Sequence, residues 1–167
     1  GRAVILGGGG HASVVVDVLE QMGQIPWGIT DPDSSRAKDG TIHGVEYLGD
    51  DDVITDTSKD LVLVNGIAST QTPQLHQTVY ERFKHRGFDF LNLEHPNAYV
   101  AETAKIHEGS QLFAGCVVQP NAVLGENVII NTGATVDHDS TIADHSHVAP
   151  GATISGNVHI ESSVHVG

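Results

Sequence analysis

Cysteine is nearly missing from this chain of 167 residues: Cys116 stands alone and cannot close an internal disulfide. The fold therefore rests on packing, and a reducing compartment is the setting that fits. Bases are scarce too. Eight lysines and arginines face 21 aspartates and glutamates, a formal net charge of −13. Such a chain repels phosphate backbones and anionic headgroups, which argues against nucleic acid or membrane as a partner. Apolar runs stay well short of the roughly 20 residues a membrane helix needs. The first residues show neither the basic start nor the cleavage site of a secretory signal. A soluble, cytoplasmic protein of one ordinary domain or two small ones is expected. Much of the acid lies between Asp31 and Asp60, including GDDD at 49–52, and reads as solvated surface.

What is present falls into two grammars. Residues 3–6, AVIL, form a short apolar run closed by GGGG and followed by HASVVVDVLEQMG, where Val14, Val15, Val18, Leu19 and Met22 recur at helical spacing. IPWGITD at 25–31 and DLVLVNG at 60–66 read as further strands. TPQLHQTVYERFKHRG at 72–87 reads as a helix with Pro73 near its start and Gly87 past its end. Alternating strands and helices of these lengths predict a parallel sheet covered by helices.

From about Ala98 the period becomes six. Val100, Ile106, Leu112, Val118, Leu124, Ile130, Val136, Ile142, Val148, Ile154, Ile160 and Val166 fall at one phase without an insertion. Two residues before each stands a small or β-branched residue, from Ala98, Ala104, Ser110 and Cys116 through to Val164. Alternate residues of a strand share a face, so both series point inward. A period of six excludes an α-helix and suits a short strand plus a corner, three sides to a coil, with coils stacked at roughly 4.8 Å. Cys116 then has a packing role at a small inward position. The division predicted is 1–93 for the Rossmann-like domain and 94–167 for the coil.

Two places carry chemistry. Gly7, Gly9 and Ala12 read as G-x-G-x-x-A between a strand and a helix, with Asp31 at the end of the next strand. Those are the parts of a dinucleotide-binding turn, although the glycines do not select NAD over another nucleotide and would also serve a plain tight turn. In NTGATVDHDS, at 131–140, His138 stands between Asp137 and Asp139, two residues after the inward Val136. A side chain there leaves the coil near a corner, and a flanking carboxylate can hold the ring tautomer of a proton acceptor. The repeat does tolerate surface polarity, as Ser140, His145, His147, His159 and His165 show.

The six-residue repeat resembles the hexapeptide-repeat acyltransferases, which implies a left-handed parallel β-helix. The opening AVILGGGGHA, the linker LNLEHPNAYVAETAKI and the pair NTGATVDHDS and DHSHVAPGATISGNVHI together closely resemble the sugar acetyltransferases related to sialic acid O-acetyltransferase and the bacillosamine-pathway N-acetyltransferase. The resemblance implies acetyl transfer from acetyl-CoA to a nucleotide-activated sugar, commonly a UDP-4-amino-4,6-dideoxy hexose, by a homotrimer with sites between adjacent β-helices and no metal. It makes His138 the general base and Asp139 its orienting partner. His147, Asn131 and Gly156 would then bind acetyl-CoA, with the Gly156 N–H at the thioester carbonyl. Gly8, Gly9, Gly10 and His11 would face the diphosphate and sugar, Asp31 the nucleotide base, and Asn65 the rim. Relatives often carry a base soon after the strand ending at Asn65, whereas no lysine or arginine follows here until Arg82. Relatives also continue past the position of Gly167, so a truncated chain with an incomplete CoA site is expected.

Three rivals remain at this level: sialic acid O-acetylation, a non-catalytic nucleotide-binding trimer, and a hexapeptide-coil zinc enzyme of the carbonic anhydrase type. The last needs two histidines five residues apart, and no pair among the eleven here has that spacing.

Overall fold

The computed structural model describes residues 1–55, 60–68 and 73–167. Residues 2–6 form β1 (Arg2–Leu6), in which Ala3, Val4, Ile5 and Leu6 are all buried. Burial on both faces is what a central parallel strand requires. The helix that follows, α1 (Gly10–Gln21), buries Ala12, Val15, Val16, Val18 and Leu19. Its stripe thus includes Ala12, Val16 and Leu19, at i, i+4 and i+7, and Val14 turns to solvent. Next come β2 (Gly28–Thr30), a hairpin of β3 (Thr41–Ile42) and β4 (Val45–Gly49), and then β5 (Leu61–Asn65), α2 (Pro73–His85) and β6 (Asp89–Phe90). The start of the expected second helix, Thr72, lies outside the described residues.

These strands make one sheet in the order β3-β4-β2-β1-β5-β6. All its pairings are parallel except β3 with β4. The hairpin was not legible in the sequence, because its strands are short and its polarity mixed. Its turn places His43 at φ 50° and Gly44 at φ 78°, the two positive angles that a tight hairpin needs. With β2 on one side of β1 and β5 on the other, the chain reverses direction at β1. The carboxyl ends of β1, β2 and β5 then lie together on one edge, the position at which open α/β sheets form a ligand-binding crevice.

The β-helix begins at Leu93. Its first face stacks β7 (Leu93–Glu94), β10 (Gln111–Leu112), β13 (Ile129–Ile130), β16 (His147–Val148) and β19 (His165–Val166). The second stacks β8 (Tyr99–Val100), β11 (Val117–Val118), β14 (Thr135–Val136) and β17 (Thr153–Ile154). The third stacks β9 (Lys105–Ile106), β12 (Val123–Leu124), β15 (Thr141–Ile142) and β18 (His159–Ile160). Every pairing is parallel and joins residues one coil apart, as in Leu112 with Ile130 and Ile130 with Val148. The coil is left-handed.

Two-residue strands need sharp corners, and the corners have their own period. Gly109, Gly115, Asn121, Asn127, Gly133, Asp139, His145, Gly151, Asn157 and Ser163 all adopt positive φ, each three residues after an inward aliphatic. Glycine, asparagine and aspartate tolerate that conformation best, which explains most of these choices. Inside, Val118, Leu124, Ile130, Val136, Ile142 and Val148 are fully buried, with Cys116, Ala122, Val128 and Ala134 beside them. Burial pushes the Cys116 thiol up to about 12, with Glu94 adding to it, so the residue packs as a small hydrophobe. The buried Ser140 is accommodated because its hydroxyl donates to Ser155 O at 2.6 Å and accepts from Val158 N–H at 3.0 Å. Ser146 repeats the device one side later, with Glu161 O and Val164 N–H.

The first face of the β-helix packs on the sheet domain. Leu93, Phe113 and Ile129 share a core with Ala12, Val15, Val16 and Leu19 of α1. On the other flank Tyr80 of α2 tilts against Phe90, meets His145 edge-on and donates to Glu126 Oε1 at 2.7 Å.

The aliphatic ladder is expected to dominate stability. Ile142→Ala should cost about 2–5 kcal/mol and Ile142→Val about 0.5–1.5 kcal/mol in urea unfolding. An alanine variant no less stable than the valine one would place Ile142 outside the cooperative core.

Candidate active site

The crevice at the carboxyl ends of the strands is built on the glycine turn. Gly7 has φ 92° and lies so close to Gly66 that a Cβ on Gly66 would sit 2.4 Å from Gly7 O. Gly8 is buried, and its N–H donates to Asp31 Oδ2 at 2.8 Å. Its carbonyl, like that of Gly9, faces His43 Nε2, at 3.0 and 2.9 Å. Ile42 closes over it, within 2.9 Å of where a Gly8 Cβ would lie. Gly9 and Gly10, at the start of α1, are the glycines left toward the crevice.

Asp31 is buried as a latch on this turn. Its other oxygen accepts from Asp33 N–H at 2.8 Å, and Arg36 Nε lies 3.5 Å from Oδ2. The Arg36 guanidinium reaches over Gly9, with Nη1 3.4 Å from a Cβ position there. No base follows Asn65 soon in sequence, yet this arginine, from the turn after β2, brings a cation to the glycine turn. Sequence reading missed it because nothing in the spacing ties residue 36 to residue 9.

Asn65 is also buried, and its side chain turns toward the β-helix. Its Nδ2 donates to His76 O at 3.0 Å and to Asn127 Oδ1 at 3.1 Å, and its Oδ1 accepts from Ile67 N–H at 3.1 Å. His76, likewise buried, reaches Ile67 O at 2.6 Å and Asn127 O at 3.0 Å. Residues 69–72, which follow this strand, lie outside the described residues.

Three histidines approach the crevice from the first face and the glycine turn. His11 Nε2 meets Gln111 Oε1 at 2.9 Å, and its ring tilts against Phe113 with centroids 5.4 Å apart. Burial holds its pKa below the ordinary range, His76 adding slightly to that. His147 is buried and stands edge-on to His165, centroids 5.0 Å apart. Asn131 Oδ1 accepts from Thr132 N–H at 2.7 Å, which turns its Nδ2 toward His147 Nε2, 3.0 Å away. The lone pair of Nε2 is therefore occupied, and the neutral ring carries its hydrogen on Nδ1. Burial, helped by His11 and His165, pushes the His147 pKa down to about 3.

His138 has the opposite setting. It lies at the corner between the second and third faces, with its side chain 60% exposed. Its Nδ1 meets Asp139 Oδ2 at 2.8 Å, and its backbone N–H donates to Asp137 Oδ1 at 2.7 Å. The Asp139 hydrogen bond, and then the Asp137 charge, raise its pKa above the ordinary value. With Nδ1–H directed at a carboxylate, Nε2 is left as the basic atom. One coil further, Gly156 lies beneath this atom: a Cβ there would be 2.6 Å from Nε2. Only glycine leaves that space open.

The expected residues thus form three groups. His138, Asp139 and Gly156 share one corner; Asn131 and His147 share the first face; Gly9, Gly10 and His11 meet that face from the sheet domain. Within one chain the first group sits at the corner between the second and third faces and the second group on the first face. Among the described residues no group of three or more His, Cys, Asp or Glu side chains is arranged to hold a metal, and no helix is long and apolar enough to cross a membrane.

Two family profiles match. The one described as PglD N-terminal domain covers residues 2–82, and the one described as bacterial transferase hexapeptide (six repeats) covers 103–138 and 121–156. Among solved structures, a histidine-to-alanine variant of GDP-perosamine N-acetyl transferase from Caulobacter crescentus, in complex with CoA and GDP-perosamine, is 30% identical. The match covers 95% of this chain and 73% of that one, with a TM-score of 0.83. The acetyltransferase domain of PglB from Neisseria gonorrhoeae is 28% identical over 98% of this chain and 78% of its own, with a TM-score of 0.85. The same domain in complex with acetyl coenzyme A is 29% identical over 95% of this chain and 75% of its own, with a TM-score of 0.81. Among curated protein sequences none matches this chain.

Histidine-ring NMR should separate the two settings. His138 is expected to titrate above the ordinary 6.5, and Asp139→Asn, which keeps a residue tolerant of positive φ, should bring it back down. His147 is expected to stay neutral until the solution is strongly acidic, near pH 3. A His138 midpoint unchanged by Asp139→Asn would remove the carboxylate from the account.

Proposed function

The chain belongs to the hexapeptide-repeat sugar N-acetyltransferases with a PglD-type N-terminal domain, and on that basis we propose that it moves the acetyl group of acetyl-CoA to the amine of a nucleotide-activated amino sugar, with His138 as general base. The observation that carries the reading is the corner itself: an exposed imidazole, its Nδ1 held by Asp139 and its Nε2 over the open space at Gly156.

An amine attacking a thioester carbonyl builds negative charge on the carbonyl oxygen and positive charge on its own nitrogen. His138 Nε2 takes the amine proton as the C–N bond forms. When the tetrahedral intermediate collapses, the C–S bond breaks and CoA leaves as the thiol, the proton returning to sulfur. No covalent enzyme intermediate is needed. The Gly156 N–H is assigned to the developing oxyanion, a donor fixed in place before reaction. The half-buried Asn131 and the buried, neutral His147 line the acetyl end. A neutral His147 cannot compete for the amine proton, because its Nε2 is already occupied by Asn131.

The nucleotide sugar is assigned to the crevice, with its diphosphate over Gly9 and Gly10 and against Arg36, and its base beyond Asp31. Gly8 and Asn65 support this site from behind, since their polar groups are already engaged. The sequence resemblance favours a UDP sugar, whereas the Caulobacter protein was crystallised with a GDP sugar; both present a diphosphate. The His138 corner and the first face that carries His147 lie apart on one prism, so a homotrimer, with one copy's corner against its neighbour's first face, brings them into one cleft.

The decisive assay follows CoA release from acetyl-CoA with UDP- and GDP-linked amino sugars, and sialic acid alongside. Release with an amino sugar should fall about 10²- to 10⁴-fold in His138→Ala, with nucleotide-sugar binding retained. Because the pKa of His138 is raised, activity should rise with pH through a midpoint above 6.5, and Asp139→Asn should shift that limb to lower pH. Binding without turnover on any acceptor would instead make the protein a nucleotide-sensing module, and release with sialic acid alone would make it an O-acetyltransferase.

A further inference from the structure

Gln111 sits where the β-helix has no need of an amide. It is the first residue of β10, its backbone paired directly beneath Ile129 and above Leu93 on the first face, and both neighbours are fully buried aliphatics. An aliphatic at 111 would continue that stack. Gln111 is itself only 1% exposed, and a buried amide is costly unless its groups are bonded. Both ends are bonded, and both partners belong to the sheet domain. Nε2 lies 2.7 Å from the backbone carbonyl oxygen of Asn65, and Oε1 lies 2.9 Å from His11 Nε2.

This geometry leaves no freedom in the proton positions. The Asn65 carbonyl only accepts, so the NH₂ end of Gln111 must face it. The oxygen end then faces His11, and an amide oxygen only accepts, so His11 Nε2 must carry a hydrogen. In a neutral ring the lone pair is therefore on Nδ1. Among the described residues no buried side-chain nitrogen or oxygen lacks a partner, and Nδ1 of His11 makes no hydrogen bond. Nδ1 is accordingly the ring atom that keeps some open surface, at the start of α1 next to the glycine turn. The tilted contact with Phe113 holds the ring plane. The titratable groups that act on this ring are His76 of α2 and His147 of β16. Neither offers a carboxylate that would stabilise a charged ring, and burial favours the neutral form.

We propose that Gln111 is a positioning residue that fixes His11 in the Nε2–H tautomer, so that His11 accepts a hydrogen bond through Nδ1 from a hydroxyl or amine hydrogen of the sugar and does not bind the diphosphate. Phosphate oxygens only accept and would meet a lone pair at Nδ1. The diphosphate is then left to Arg36 and the Gly9 and Gly10 N–H groups, and the first turn of α1 reads the sugar. This assignment of the sugar rests on the nucleotide-sugar reading above; the tautomer does not.

The test separates the two. Nitrogen-15 NMR of the histidine rings in the intact, substrate-free protein should show His11 protonated at Nε2 and bare at Nδ1. In Gln111→Leu the signals should shift to a tautomer mixture, and KM for the nucleotide sugar should rise about tenfold with kcat within about twofold. Gln111→Glu still accepts from Nε2–H, but it loses the donor to the Asn65 carbonyl, which costs stability, and its charge raises the His11 pKa. Its KM should climb at least tenfold as pH falls and Nδ1 becomes protonated. A wild-type ring bare at Nε2, a tautomer unmoved in Gln111→Leu, or a pH-independent KM in Gln111→Glu would overturn the positioning role and leave Gln111 as domain packing. If the wild type turns over no amino sugar yet shows the Nε2–H tautomer, the acetyl-transfer reading and the sugar assignment fail and the positioning of His11 stands.

Discussion

Strands only two residues long can be stable only if every one of them is paired above and below and capped by a corner of fixed shape. Parallel pairing one coil apart supplies the first condition, and a left-handed residue three places after each inward aliphatic supplies the second. Together they fix which residues can touch. Side chains 18 residues apart are neighbours whatever their chemistry, as Thr135 and Thr153 are across a paired strand. His138 over Gly156 is that rule at a corner, and the row from Leu93 through Gln111, Ile129, His147 and His165 is the same rule along a face.

The rule also explains how one residue serves two ends. Asp139 occupies a corner that needs positive φ, for which aspartate is one of the few suitable residues, and from there its carboxylate reaches the neighbouring imidazole. The corner conformation and the contact with His138 thus fall to one side chain. The two histidines assigned to the reaction owe their difference to position alone. At an exposed corner beside carboxylates the imidazole becomes more basic; on a buried face among other histidines it stays neutral far into acid. Environments that push like groups apart in this way are how a site divides proton acceptance from neutral contact.

The junction between the domains is more polar than a plain packing surface. Beside the apolar patch of Leu93, Phe113 and Ile129 runs a chain of engaged groups, from His11 through Gln111 to Asn65, His76, Asn127 and His145. Such groups tolerate only one relative placement of the two domains, because a shift would leave several of them buried and unpaired. That fixes the wall formed by His11 and Gln111 relative to the glycine turn.

The β-helix was legible in the chain because its period is a local property: inward positions six apart, corners that want glycine or asparagine, small residues in between. The strand, glycine turn and helix at the start, and the His138–Asp139 pair, were legible for the same reason, as near neighbours in sequence. The β3–β4 hairpin was not, nor were the meeting of Arg36 with Gly9, the latching of Gly8 by Asp31, or the turning of Asn65 away from the rim. Nothing in the repeat singles out Gln111 either. Each of these depends on residues far apart in sequence meeting where two domains or two loops close, and no period along the chain encodes such a meeting. The sequence by itself determined the architecture and the His138–Asp139 corner, through backbone conformation and burial pattern. Tertiary packing alone decided which histidine is basic, which is neutral, and which atom of His11 faces the crevice, because proton affinity and tautomer follow from surroundings assembled only in the folded chain.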